Sequence, residues 1–144
     1  MHQLVENIFA SKELYGKMLD PVCEKYELSH MDLVILLSLA NNPQHDTATD
    51  IVNYHSLKKS AISQSLRVLE ERGLVTGEYL NGNHRSIHLK ISDAAKRIVK
   101  EGKKAQMEFF DVLVDGFTAA EKEELRTYLS RITANISAYN KKLR

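Results

Sequence analysis

The 144-residue sequence predicts a mainly α-helical chain with a small β-hairpin. Its centre is a winged helix-turn-helix at about residues 29–91, with helices flanking it at about 1–28 and 92–144. Three observations predict this. Apolar residues recur at three- and four-residue steps through both ends of the chain. Between Thr47 and Arg72 two helical patterns stand only a short turn apart. Directly after them the apolar period drops from about 3.6 to about 2, across a turn rich in Gly and Asn.

Taken in order, Leu4, Ile8, Tyr15, Leu19, Val22 and Tyr26 form the apolar stripe of a first helix. Asp20-Pro21 predicts a kink or a restart there, because proline in a helix interior costs about 3 kcal/mol, whereas proline after an Asp cap is comfortable. Ser29 caps a second helix, with Asp32 at its third position. The run from Leu33 to Ala40 is apolar nearly all round, which belongs in the middle of a core. Asn41-Asn42-Pro43 stops it. Thr47 caps a short third helix with Asp50 three residues on, a weaker relative of the capping box. That helix runs through about Tyr54 and points Ile51 and Val52 inward. His55-Ser56-Leu57 makes the turn into a helix over Leu57–Arg72, which Gly73 ends.

Two strands follow, Val75–Tyr79 and Ser86–Ile91. The second puts Ile87, Leu89 and Ile91 on one face and Ser86, His88 and Lys90 on the other. Asn81-Gly82-Asn83 supplies residues that tolerate positive φ at the hairpin turn, and His84-Arg85 completes its tip. Ser92-Asp93 caps a long helix to about Asp115, with Ile98, Val99, Ala105, Phe109, Val112 and Leu113 as its apolar face. Gly102 marks a weak spot or a close approach. Gly116 ends that helix, and Thr118 to Glu121 is a full capping box. The last helix carries Leu125, Leu129, Ile132, Ile136, Tyr139 and Leu143 at heptad-like steps, which ask for a helical partner. Three long amphipathic helices expose more apolar surface than the small winged module can cover. A symmetric homodimer is the economical solution, with Leu4, Ile8, Leu125, Leu129, Ile132, Ile136 and Tyr139 at its interface.

The helix over Leu57–Arg72 carries the chemistry. Ile62, Leu66 and Leu69 form one stripe; Ser60, Ser63, Gln64 and Arg67 form the opposite one. Short hydroxyls, an amide and a guanidinium suit polar base edges in a DNA major groove. Lys58 and Lys59 place positive charge at the already positive end of the helix dipole, a misfit that a docked phosphate would remove. The formal charge of the whole chain is +1, yet residues 1–54 carry 3 Lys and Arg against 8 Asp and Glu, and residues 55–104 carry 11 against 5. A localised basic block of this kind suits site-directed binding of double-stranded DNA.

The ordered set Ile51-Val52, Lys59-Ser60-Ala61-Ile62-Ser63, Leu69-Glu70-Glu71-Arg72-Gly73-Leu74-Val75, Asn83-His84-Arg85 and Leu89-Lys90-Ile91-Ser92 resembles the MarR family of bacterial transcriptional regulators. Phe117 to Leu125 resembles the opening of that family's last helix, so the likeness spans nearly the whole chain. The resemblance implies a homodimeric regulator on a pseudo-palindromic operator, acting as a repressor relieved by a ligand or signal. It also implies a wing that reaches the minor groove through Arg85, aided by Asn83 and His84. Asn83 stands where the family usually has an Asp, and Lys58 stands where a Ser more often caps the recognition helix. The first turn could then open at Ser56 instead.

Other chemistries find less support. There is no Gly-rich phosphate loop, nucleophile elbow or supported carboxylate pair, so an enzyme is not expected, and neither a cofactor nor a metal site is. His84 and His88 stand four apart on a strand, which is poor ligand spacing. Cys23 is the single cysteine. The family resemblance offers a thiol-sensing alternative for it, helped by a helix restart at Pro21, against the plainer reading of a small buried residue. The resemblance further implies a small-molecule effector, with Tyr15, Tyr26, Met107, Phe109 and Phe110 as candidate lining residues. The main alternative to DNA binding is a winged helix that binds protein partners, but it would need an apolar recognition face, and the one here is polar. Without a leader or a long apolar run, the expected location is the cytoplasm and not a membrane.

Overall fold

In the computed structural model, which describes residues 1–55, 57–78 and 87–143, helix α1 runs from His2 to Tyr26 straight through Pro21. The expected restart at Pro21 does not form. Proline forfeits one hydrogen bond there, but Leu19, Val22 and Cys23 are buried on either side and hold the helix in register. His30 sets its ring against the nearby Gly16 carbonyl at 3.1 Å and the Asp20 carboxylate at 2.7 Å. Glu27 closes α1 in the left-handed region at φ 53°, and the Leu28 amide donates back to the Cys23 carbonyl at 2.9 Å.

Helix α2 (His30–Asn41) opens on the expected Ser29 cap, completed into a capping box in which Ser29 and Asp32 exchange side-chain and backbone bonds at 3.0 Å. It is the core element: Leu33, Ile35, Leu36, Leu37 and Leu39 are all buried. Helix α3 (Ala48–His55) begins at a reciprocal cap between Thr47 and Asp50, at 3.1 and 3.2 Å. The Asp50 side chain thus completes a capping box where the sequence suggested a weaker relative.

Helix α4 (Lys59–Glu71) starts two residues later than expected and packs on both α2 and α3. Lys58 is its N-cap, so the alternative start at Ser56 is set aside, although Ser56 itself lies outside the described residues. Gly73 follows at φ 70°, as its C-terminal position demands. Strands β1 (Val75–Glu78) and β2 (His88–Ile91) pair antiparallel, with Val75 opposite Ile91 and Glu78 opposite His88. Leu89 is buried and Ile91 half-buried, whereas Ile87 lies before the strand and is 44% exposed. Tyr79 and Ser86, expected at the strand ends, lie outside the described residues.

Ser92 does not cap the next helix. Its hydroxyl donates to the Gly73 carbonyl at 2.5 Å, and its amide to Leu74 at 3.0 Å. A 3-10 turn at Asp93–Ala95 therefore precedes α5 (Lys96–Leu113). Gly102 is a close approach: a Cβ placed there would stand 2.8 Å from Leu37 Cδ2 and 3.3 Å from Leu33 Cδ1.

The chain divides inside α5 into two compact units, Met1–Phe109 and Phe110–Arg144. The second contains α6 (Ala119–Leu143), opened by the Thr118–Glu121 box at 2.9 and 3.1 Å. No residue of α6 is buried. Leu129, Ile132, Ile136 and Tyr139 are exposed and Leu125 half-exposed, so its heptad-like stripe faces outward. At the other end of the chain Leu4, Val5, Ile8 and Phe9 are exposed as well. Among the described residues no helix is long and apolar enough to cross a membrane.

Candidate nucleic-acid interface

Helix α4 presents two chemically distinct faces. Ile62 and Leu69 are fully buried and Leu66 nearly so, while Ser60, Ser63, Gln64 and Arg67 are all exposed on the other side. The buried stripe fixes the roll of the helix about its axis. A hydrogen bond reinforces that roll: the buried Ser65 hydroxyl donates to the buried Asp32 carboxylate, whose other oxygen caps α2. Asp32 therefore braces the recognition helix as well as its own.

At the N-terminus, Lys58 holds an extended backbone (φ −72°, ψ 132°) and gives no side-chain cap. The first-turn amides of α4 thus receive no side-chain acceptor from their N-cap, and the exposed Lys58 and Lys59 ammonium groups stand beside them. Amides without a side-chain cap from Lys58, the positive end of the dipole and two cations together suit a phosphate.

The base of the wing is tied to the entry of the helix-turn-helix. The Leu89 amide donates to the Asp46 carbonyl at 2.8 Å, and His88 Nδ1 lies 2.7 Å from an Asp46 carboxylate oxygen. A single residue, Asp46, two positions before α3, thus holds β2 by both backbone and side chain. Asn83, His84 and Arg85, the expected wing contacts, lie outside the described residues.

The basic block of the sequence is spread more widely in space. Ser92 bonds to Gly73, at the C-terminal end of α4, so α5 begins there. Helix α4 has 13 residues, about 20 Å of rise, so Lys96, Arg97, Lys100, Lys103 and Lys104 start from the end opposite Lys58 and Lys59. The block is not one patch on the recognition face.

Cys23 is 5% exposed, in the last turn of an unbroken α1 and not in a first turn. Burial, then the carboxylates of Asp20, Asp32 and Glu24, push its thiol above the ordinary value. The dipole effect that favoured a reactive thiolate is absent because the restart at Pro21 is absent.

The aromatic set is also dispersed. The Tyr15 and Phe109 rings meet at a tilt of 58°, with 5.1 Å between their centroids. Gln106 donates to the Tyr15 hydroxyl at 2.8 Å and accepts from Asn41 at 3.2 Å. Tyr15, Asn41 and Gln106 edge a cavity of about 320 Å³, whose wall Val34, Leu37, Ser38 and Asn42 complete. Tyr26, Met107 and Phe109 are not among its lining residues: the Tyr26 hydroxyl bonds Glu101, Met107 is 68% exposed, and Phe109 packs on the Tyr15 ring. Phe110 falls in the other unit. Among the described residues no group of three or more His, Cys, Asp or Glu is placed to hold a metal ion.

Sequence reasoning missed Asp46, the second role of Asp32, and Arg72, whose guanidinium binds the end of α1. Asp32 and Arg72 sit inside motifs that local spacing had already explained, and Asp46 carried no periodic signal.

Residues 26–85 match the model described as the MarR family. The HTH-type transcriptional regulator PecS of Dickeya dadantii (strain 3937) is 26% identical over 125 residues, which cover 85% of this chain and 75% of PecS. A putative MarR family transcriptional regulator from Listeria monocytogenes, solved in complex with 26mer DNA, superposes with a TM-score of 0.83. It is 18% identical, and the match covers 96% of this chain and 93% of that one. Bordetella bronchiseptica BpsR, whose structure addresses regulation of DNA binding by 6-hydroxynicotinic acid, superposes with a TM-score of 0.69 at 14% identity. There the match covers 91% of this chain and 98% of that one.

Proposed function

We propose that this chain, whose residues 26–85 match the MarR family model, is a transcriptional regulator of that family and not an enzyme, and that it represses transcription as a homodimer on a pseudo-palindromic double-stranded operator. The single observation that carries the proposal is the division of α4 into a buried stripe and an exposed face of Ser60, Ser63, Gln64 and Arg67. A face of this composition can read base edges while Lys58 and Lys59 hold phosphates. It also disfavours a protein-binding winged helix, which would present apolar anchors at the centre of its interface. Arg85 reaches the adjacent minor groove, with Asn83 and His84 beside it. The exposed stripes of α1 and α6 supply the second copy's contact, and the whole operates in the cytoplasm.

The cavity beside Tyr15 supports a second element, release by a small molecule. Its wall combines apolar Val34 and Leu37 with the amides of Asn41 and Gln106, which suits a small aromatic ligand with polar substituents. A metal or other cofactor has no part in this scheme.

Fluorescence anisotropy with duplexes from the region flanking the encoding gene tests the proposal. The expected result is a preference of about 10³ or more over random DNA, with affinity falling steeply as salt rises. Equal affinity for both would reject site-specific regulation.

A further inference from the structure

We propose that Arg72 is a positioning residue for DNA binding, which pins the end of the recognition helix to the last turn of α1 and so sets the half-site spacing the protein accepts. This rests on the DNA-binding function proposed above. Arg72 ends α4 in a helical conformation, one residue before the turn at Gly73. Its Nη1 donates to the Glu27 carbonyl at 2.9 Å, and its Nη2 to the Tyr26 carbonyl at 2.7 Å. Two donors on a rigid planar fork meet two consecutive carbonyls at the negative end of a helix. A lysine ammonium, a point charge on a flexible stem, cannot reproduce that double geometry.

The turn that Arg72 grips is itself held from the other side. Lys25 reaches Glu101 of α5 at 2.5 Å, and the Tyr26 hydroxyl donates to the same carboxylate. Its backbone is also unusual, because Glu27 adopts a left-handed conformation that side chains other than Gly and Asn seldom adopt. Helix α4 packs on α2 and α3, and α1 packs on α2; the Arg72 guanidinium is a direct bridge between α1 and α4.

Leverage gives the bridge its consequence. Helix α1 has 25 residues, about 37 Å of rise, and its far end carries the exposed stripe assigned to the second copy. A tilt of about 5° at the pinned end moves the other end by about 3 Å, close to the rise of one base pair. A loosened pin therefore lets two recognition helices accept half-sites one base pair nearer or farther apart.

The test compares full-length wild type with Arg72→Met, which keeps the aliphatic stem and removes both donors, and with Arg72→Lys. Duplexes enriched by wild type from a random-sequence pool are remade with one or two base pairs inserted or deleted between the half-sites. Wild type should prefer one spacing; Arg72→Met should lose that preference by about tenfold with its salt dependence unchanged, and Arg72→Lys should fall between. An unchanged spacing profile with a lower melting temperature would reduce Arg72 to a structural role and overturn the proposal. A salt slope smaller by about one would make Arg72 a phosphate contact and overturn it equally. Amide exchange on the free protein judges the pin without DNA. The Leu28 amide should exchange about tenfold faster in Arg72→Met while the Leu66 amide is unaffected, and no change at Leu28 overturns the pin. If wild type enriches no duplex at all, the DNA-binding function falls, and Leu28 exchange alone then upholds or overturns the pin.

Discussion

Asp32 links the core helix to the recognition helix through Ser65: one carboxylate oxygen accepts the Ser29 amide, and the other accepts the Ser65 hydroxyl. Both side chains are buried, so neither has water as a replacement partner. Ser65→Ala should therefore cost about 1.5–3 kcal/mol, the range for a hydrogen bond to a charged group. Asp32→Ala should cost more, since it also removes the acceptor of the Ser29 amide, one half of the α2 capping box. Urea denaturation checks both through the midpoint at constant slope. A Ser65→Ala cost below about 0.5 kcal/mol, typical of a surface site, would show that the bond contributes little.

The exposed residues of α4 should separate by role. Lys58→Ala and Lys59→Ala should weaken binding to all DNA, and each should lower the salt slope by about one for every phosphate it leaves unneutralised. Gln64→Ala and Arg67→Ala should instead cost about 1–3 kcal/mol on the preferred site and relax base preference there. Competition titrations against random duplex measure the ratio. If Arg67→Ala keeps the wild-type ratio, Arg67 does not read bases.

Gly102→Ala sets two effects against each other. Alanine is favoured over glycine in a helix by about 1 kcal/mol. The added Cβ would press on Leu37 Cδ2 at 2.8 Å, in a core where Leu33 and Leu37 are buried. Overpacking of this kind costs about 1–3 kcal/mol, so the net change should be destabilising by up to about 2 kcal/mol. Thermal denaturation decides, and a stabilised variant would mean that Leu37 repacks freely.

Acid should act partly through Glu101. The hydrogen bond from Lys25, then that from Tyr26, holds its carboxyl below the usual value of 4.5. A carboxylate depressed on folding contributes stability above its unfolded value and loses it as the pH falls through the folded one. Glu101→Gln should thus be less stable at neutral pH and should lose less on acidification below 4.5. The same pair acts in reverse at high pH. The Glu101 bond raises the Tyr26 pKa above 10.0, so that contribution is present below 10.0 and fades as the pH rises past it. Melting temperatures across the acid range test the first claim; parallel curves for wild type and Glu101→Gln would refute it.

Signals spanning three or four residues were legible in the sequence. The caps at Ser29, Thr47 and Thr118 are satisfied within one helical turn, and the two faces of α4 follow from its period alone. Ser92 failed as a cap because its hydroxyl goes to Gly73, which lies 19 residues away. Pro21 failed as a break because the burial of Leu19 and Val22 outweighs a local penalty, and propensity does not register burial. The aromatic set scattered because helical spacing cannot distinguish a cavity wall from a packed core or an exposed ring. The bracing residues Asp46 and Arg72 act across 42 and 45 positions, and spacing carries no record of that.

The double hold of Asp46 on β2 restricts how this chain can vary. The segment from Asn42 to Thr47 looks like an ordinary surface connection, the sort that usually absorbs insertions freely. Here an extra residue between Asp46 and α3 would pull both the Leu89 amide and His88 out of register with that helix. The wing and the recognition helix would then address the duplex from mismatched heights. Length change between Asp46 and α3 should therefore be purged as strictly as change in the reading face, leaving that junction to vary by substitution alone.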